Sequence, residues 1–136
     1  MSTHIDLQRI AFLGNYVPRK CGIATFTHDL YRSISSTMPE ADCYVGAVTD
    51  KADSYNYPDE VRFQIQEKAL RDYRRSADLL NFRNADVLCV QHEFGIYGGA
   101  SGNYLLALLK EVRMPIVTTL HTILDNPTKQ QAEVMN

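Results

Sequence analysis

The sequence has no apolar stretch long enough to cross a bilayer. Its longest run of large apolar residues lies within Leu105–Leu109, against the roughly 20 residues a helical span requires. Its first ten residues, MSTHIDLQRI, hold no apolar centre of a secretory signal. Cysteine is scarce: Cys21, Cys43 and Cys89 form an odd, widely spaced set. Two of them sit inside strand-like runs, which suits free thiols in a reducing compartment, so the expected location is the cytoplasm. A basic excess is also lacking. Fourteen Lys and Arg stand against sixteen Asp and Glu, a net charge of -2, which leaves no surplus for phosphate-backbone contacts and sets nucleic acid aside as a partner. With only 7 Gly and 5 Pro, 22% charged and 45% hydrophobic residues, the chain is neither collagenous, coiled-coil nor disordered. Its 136 residues suit one core that buries roughly two thirds of the unfolded surface, hence one domain over 1–136.

What is present is an alternation of strand and helix patterns. Arg9 to Asn15 reads as a buried strand stopped by Gly-Asn. Ile23, Phe26, Leu30, Ile34 and Met38 then recur at helical spacing, and Pro39 ends that helix. Cys43 to Val48 is a second strand and Val61 to Ile65 a weaker third, separated by a polar loop containing Pro58. Leu70, Tyr73, Ala77 and Leu80 mark a second helix; Lys68, Arg71, Arg74 and Arg75 make a solvated face paired in part with Glu67, Asp72 and Asp78. Asp86 to Gln91 is the clearest strand, apolar on both faces as the first and fifth strands also are. A glycine-rich loop, a helix from about Asn103 to Val112 and a fifth strand, Pro115 to Leu120, follow. Asp125-Asn126-Pro127 signals a last helix, expected to leave Val134 and Met135 short of partners.

The pattern predicts an α/β fold, a Rossmann-like open and mostly parallel sheet with helices on both faces. Such sheets bind ligands beyond the carboxyl ends of their strands, which directs attention to three loops. In Pro18–Leu30 a strand enters a Gly-containing turn and then a helix, with Arg19 and Lys20 beside it, an arrangement that attracts anions. It is neither a GxGxxG fingerprint nor a P-loop, and Gly22 and Cys21 also read as plain entry and filler residues. In Val90–Asn103, four glycines within eight positions, Gly95, Gly98, Gly99 and Gly102, surround Phe94, Ile96 and Tyr97, just after His92 and Glu93. That density points to a loop that approaches a ligand or moves; the plainer alternative is a wide turn, with His92 capping the sheet edge. In Leu120–Pro127, His121 follows the fifth strand and is expected to face the same cleft as His92. Cys21, His92, Glu93 and His121 are zinc-type ligands without a close CxxC or HxxxH spacing, so no metal is assigned. No GxSxG elbow supports hydrolysis by a serine, and Cys21 with His121 is a thin Cys–His pair.

The motifs PRKCGIATFTHDL, VQHEFGIYGG and VTTLHTILDNP, in that order, resemble the amino-terminal half of glycosyltransferase family 4 enzymes, the group 1 glycosyltransferases, over Ile10 to about Pro127. The resemblance implies a GT-B architecture, two Rossmann-like domains facing across a cleft, and a metal-free transfer of a hexose from a nucleotide-sugar with retention of configuration. It implies that Gly22, Cys21 and Arg19 approach the donor diphosphate, that His121 is the catalytic side chain near the transferred sugar, and that His92, Glu93, Gly95, Tyr97, Gly98 and Gly99 line the side of a hydroxyl acceptor. The nucleotide-sugar is a substrate, so no cofactor is expected. Nothing matches the donor-binding half with its paired-glutamate motif, so the expectation is an amino-terminal, acceptor-side domain that is inactive alone and needs a carboxyl-terminal partner domain. Peripheral membrane contact stays open. Two rival expectations stand beside it: a non-catalytic module for a carbohydrate or phosphorylated ligand, and a metal-dependent hydrolase using His92 and His121.

Overall fold

The computed structural model describes residues 6–135, so the expected domain of 1–136 extends past the described residues at both ends. Five strands, β1 (Arg9–Gly14), β2 (Asp42–Thr49), β3 (Val61–Gln66), β4 (Val87–His92) and β5 (Ile116–Leu120), alternate with helices α1 (Gly22–Thr37), α2 (Leu70–Phe82), α3 (Tyr104–Leu109) and α4 (Lys129–Met135). The strands form a single parallel sheet in the order β3-β2-β1-β4-β5, which is a Rossmann-like α/β fold. The chain first builds outward from β1 through β2 to β3. It then returns to the other side of β1 with β4, so the order reverses between β1 and β4.

Side-chain alternation divides the core into two layers. Ile10 and Phe12 of β1 with Cys43, Val45 and Ala47 of β2 face α1, which covers them with Leu30, Tyr31 and Ile34, joined by Met38 just past its end. Ala11 and Leu13 face the other way, with Tyr44, Val48, Leu88 and Val90, under Tyr73, Ala77 and Leu80 of α2 and Leu105 and Leu108 of α3. Each fully buried aromatic or leucine among these contributes about 1.5–3 kcal/mol by leaving water. The uninterrupted apolar runs of β1, β2 and β4 follow from being covered on both faces. A carboxylate aligns the strand starts: Asp86 Oδ2 accepts the backbone N–H groups of Gln8 (2.8 Å) and Arg9 (2.9 Å).

Several expectations are corrected. β5 is read from its sequence as buried on both faces, yet it is a sheet edge with Val117 57% and Leu120 44% exposed. Its only described strand neighbour is β4. Phe26, placed by periodicity in the core stripe of α1, is 41% exposed. α3 spans six residues rather than ten, because the chain before it is bent by 3₁₀ turns and by positive φ at Ser101 (52°) and Gly102 (76°). α4 begins at Lys129, two residues past Pro127. Thr128 Oγ1 accepts from Gln131 N–H (3.2 Å) and Gln131 Oε1 accepts from Thr128 N–H (2.8 Å), a reciprocal cap that outweighs the proline signal. Val134 and Met135 line an open hollow with Leu105, Leu109 and Leu120, and Met135 stays 38% exposed. The basic residues of α2 remain solvated, but Asp72 caps the Gln66 N–H (2.9 Å) instead of pairing with them. Among the described residues no ion pair joins Arg71, Arg74 or Arg75 to Glu67, Asp72 or Asp78. The link between β2 and β3, the least determined pairing in the sequence, is a non-helical crossover whose Tyr57 packs into the α1 layer.

The glycine-rich loop also has a packing explanation. A Cβ on Gly98 would lie 2.0 Å from the Glu67 carbonyl oxygen, and one on Gly99 (φ 84°) 2.1 Å from Asn103 Oδ1. Tyr73 ties the loop down: its hydroxyl donates to Glu67 O (2.9 Å) and accepts from Gly98 N–H (3.0 Å), and burial pushes its pKa up to about 12. At Gly95 nothing lies within 4 Å of the added atom. Gly98→Ala is therefore expected to lower the urea unfolding free energy by about 1–3 kcal/mol, the range for overpacking, whereas Gly95→Ala changes it by less than about 0.5 kcal/mol.

Candidate functional site

Ligands of open parallel sheets bind where the strand order reverses, here at the carboxyl ends of β1 and β4. Gly14, the last residue of β1, makes close contact across that junction: a Cβ there would stand 2.9 Å from Thr27 Oγ1 of α1 and 3.2 Å from Gln91 Cβ of β4. Directly beyond it the chain turns through buried Asn15 and Tyr16 and a cis Val17–Pro18 bond to reach α1.

Cys21 is the N-cap of α1. Its extended backbone lets the sulfur accept from Ala24 N–H (3.3 Å), and Asn15 Nδ2 donates to the same sulfur (3.6 Å). The thiol is thus held as a cap rather than left free as a nucleophile. The amides of Gly22 and Ile23 have no hydrogen-bond acceptor among the described residues, and the space above Gly22 is open to 4 Å. A 16-residue helix presents there roughly half a positive charge. Arg19 lies beside it but is engaged: Nη2 sits 3.9 Å from Asp50 Oδ2. The Tyr55 hydroxyl donates to Asp50 (2.8 Å) and, with Arg19, holds that carboxyl below the usual range.

On the β4–β5 side, His121 and Glu93 are brought to this edge. His121 Nε2 is 2.9 Å from Gln91 Oε1, and its ring meets Phe26 edge-on with centroids 4.6 Å apart. Glu93 accepts from its neighbour's Phe94 N–H (3.1 Å) and from the Thr122 hydroxyl, so the carboxylate ties the loop after β4 to the loop after β5. Half-buried His121, Thr122 and Glu93 and exposed Phe26, Gly22 and Lys20 thereby share one rim.

His92 does not join them. Parallel pairing sets His92 opposite Leu120, so successive side chains alternate: Gln91 and His121 face the α1 layer, His92 the α3 layer. There His92 is 4% exposed, stacked on Tyr97 (6.2 Å, 19°) and edge-on to Phe94 (4.9 Å), with neither ring nitrogen hydrogen-bonded. The expectation that both histidines face one cleft is overturned by this alternation. Tyr97 is likewise enclosed, its hydroxyl donating to Gln91 O (2.6 Å), and Gly98 is buried against Glu67. Of the acceptor-side residues, Glu93 and Gly95 remain at the surface of the loop, and Gly99 is exposed beyond it. Among the described residues no three His, Cys, Asp or Glu side chains come together as metal ligands.

Four participants, Asn15, Phe26, Gln91 and Thr122, escaped the sequence reading. Gln91 alone carried a signal, as a polar side chain ending a strand that is otherwise buried and apolar. A surface hollow lies elsewhere, between α2 and α3, where Leu70, Tyr104 and Leu106 form the floor and Arg74, Asp78, Lys110 and Glu111 the rim.

No protein-family model matches the chain, and no curated protein matches it. No helix among the described residues is long and apolar enough to cross a membrane.

Two measurements check the local account. Cys21→Ala is expected to cost about 1 kcal/mol of stability, the usual loss for a removed N-cap, while Cys21→Ser retains an acceptor and costs little; urea denaturation separates the two. Burial lowers the pKa of His92 below its ordinary 6.5, Glu93 opposing and His121 reinforcing the shift. The unfolded chain therefore takes up this proton at higher pH than the folded one, and stability falls as pH drops from 6.5 toward the depressed folded value. In His92→Leu the urea midpoint should decline less steeply than in the wild type across that window; parallel curves would contradict the assignment.

Proposed function

We propose that this chain is the amino-terminal, acceptor-side domain of a cytoplasmic retaining glycosyltransferase that moves a hexose from a nucleotide-sugar to a hydroxyl acceptor. One observation carries this reading. The parallel order β3-β2-β1-β4-β5 sets the three motif-bearing loops along a single sheet edge, where the open start of α1 and His121 lie on the same side of the sheet. The chemistry of transfer suits that pairing. As the glycosidic bond to the donor breaks, positive charge grows on the sugar ring and negative charge on the departing diphosphate. Unpartnered amides at Gly22 and Ile23, the dipole of α1, the Lys20 cation and Arg19 once it exchanges Asp50 for the diphosphate would stabilise the leaving group, and His121 would hydrogen-bond the transferred sugar. Glu93 and the Gly95 segment would face the acceptor.

In this division of labour the edge is one wall of a cleft, and a donor-binding domain supplies the other. Residues 1–136 alone should show no transfer of labelled hexose from any nucleotide-sugar. In a protein carrying both halves, His121→Ala should lower kcat by about 10²-fold or more, as expected for a side chain acting on the reacting group, with acceptor binding retained. Full turnover in His121→Ala would contradict the role, and would favour the alternative of a module that binds sugar without chemistry.

A further inference from the structure

We propose that Gln91 is the positioning residue of this site: it fixes the neutral His121 ring as the Nε2–H tautomer and leaves Nδ1 as the ring's one free acceptor. The role of that acceptor toward a sugar hydroxyl rests on the glycosyl-transfer reading; the positioning itself rests on geometry alone.

Gln91 is 1% exposed and held from three sides. Its backbone pairs with β5 opposite Thr119, its carbonyl accepts from the buried Tyr97 hydroxyl (2.6 Å), and its Cβ fills the space left by Gly14. A side chain fixed at its root is a rigid support. From it, Oε1 meets His121 Nε2 at 2.9 Å, while Phe26 packs edge-on against the same ring. Glutamine cannot titrate, and its carbonyl oxygen only accepts. A proton must therefore reside on Nε2, and in the neutral ring Nδ1 then carries the lone pair. The opposite amide orientation would donate an N–H to Nε2. It serves only the neutral Nδ1–H ring, whereas the carbonyl serves both the neutral ring and the imidazolium. Among the described residues no hydrogen bond engages Nδ1, so it is available for a ligand hydroxyl. Glu93 and Thr122 brace the same loop one residue further on.

The test is a two-bond proton–nitrogen NMR correlation of the His121 ring in the chain itself, at a pH where the ring is neutral. The wild type should show Nε2 protonated and Nδ1 bare. Gln91→Met, similar in length and with only a weakly accepting thioether, should give exchange-averaged nitrogen shifts as Nδ1–H becomes populated. Gln91→Glu should restore Nε2–H, because a carboxylate oxygen also accepts. Nδ1–H in the wild type, or an unchanged tautomer in folded Gln91→Met, overturns the proposal. If Gln91→Met does not fold, the wild type decides it: Nε2–H supports and Nδ1–H refutes, with Gln91→Glu read only at a pH where its carboxyl is ionised. The readout uses no sugar and no turnover, so a wrong reaction class leaves it standing and a wrong tautomer sinks it alone.

Discussion

The carboxyl edge of this sheet depends on the missing side chain at Gly14. A methyl group there would meet α1 at Thr27 Oγ1 (2.9 Å) and β4 at Gln91 Cβ (3.2 Å), tighter than packed atoms accept without displacement. Without it, α1 and β4 close on the end of β1 from two sides. That single approach sets where the first turn of α1 starts, where Gln91 stands, and through Gln91 where the His121 ring is held. The reversal of strand order between β1 and β4 opens a crevice, and Gly14 determines what lines it.

What lines it is an asymmetric set of groups. Toward β2 lie charges already paired, Arg19 with Asp50 and Asp50 with Tyr55. At the centre is a helix start capped by sulfur, a weaker acceptor than oxygen. Toward β5 lie the hydrogen-bonding groups of His121, Gln91 and Thr122, with Glu93 committed to the loop. A ligand with an anionic part at α1 and hydroxyls toward β5 matches that gradient in chemistry, and a nucleotide-sugar facing an acceptor has both. The opposite face of β4 serves stability instead: His92, Tyr97 and Tyr73 build a buried aromatic layer that clamps the glycine-rich loop.

Much of this was legible beforehand. Strand and helix order followed from periodicity, and a parallel sheet followed from runs such as those of β1 and β4, which are apolar because both faces are covered. The importance of the loops after β1 and β5 followed from topology. Other features depend on which neighbour a residue meets, which sequence spacing does not encode. Phe26 has helical core spacing but lies beyond the sheet edge, so it meets His121. Glycines 98, 99 and 102 look like a mobile ligand loop, yet they accommodate Glu67, Tyr104 and two positive φ angles. His92 and His121 both lie at strand ends and look equivalent; His92 pairs with Leu120, so His121, one residue further on, faces the other way. Which residue of β5 meets His92 is a property of pairing, not of either strand alone.

The central claim is that the edge formed by the ends of β1, β4 and β5 is the ligand-binding surface. Amide chemical-shift mapping of these residues in a protein that carries both halves, titrated with UDP-glucose and GDP-mannose, tests it most directly. Perturbations confined to Asn15–Ala24, Gln91–Glu93 and His121–Thr122 are the predicted result. Perturbations centred instead on the hollow of Arg74, Tyr104 and Lys110, or no perturbation along the edge at saturating nucleotide-sugar, would contradict it.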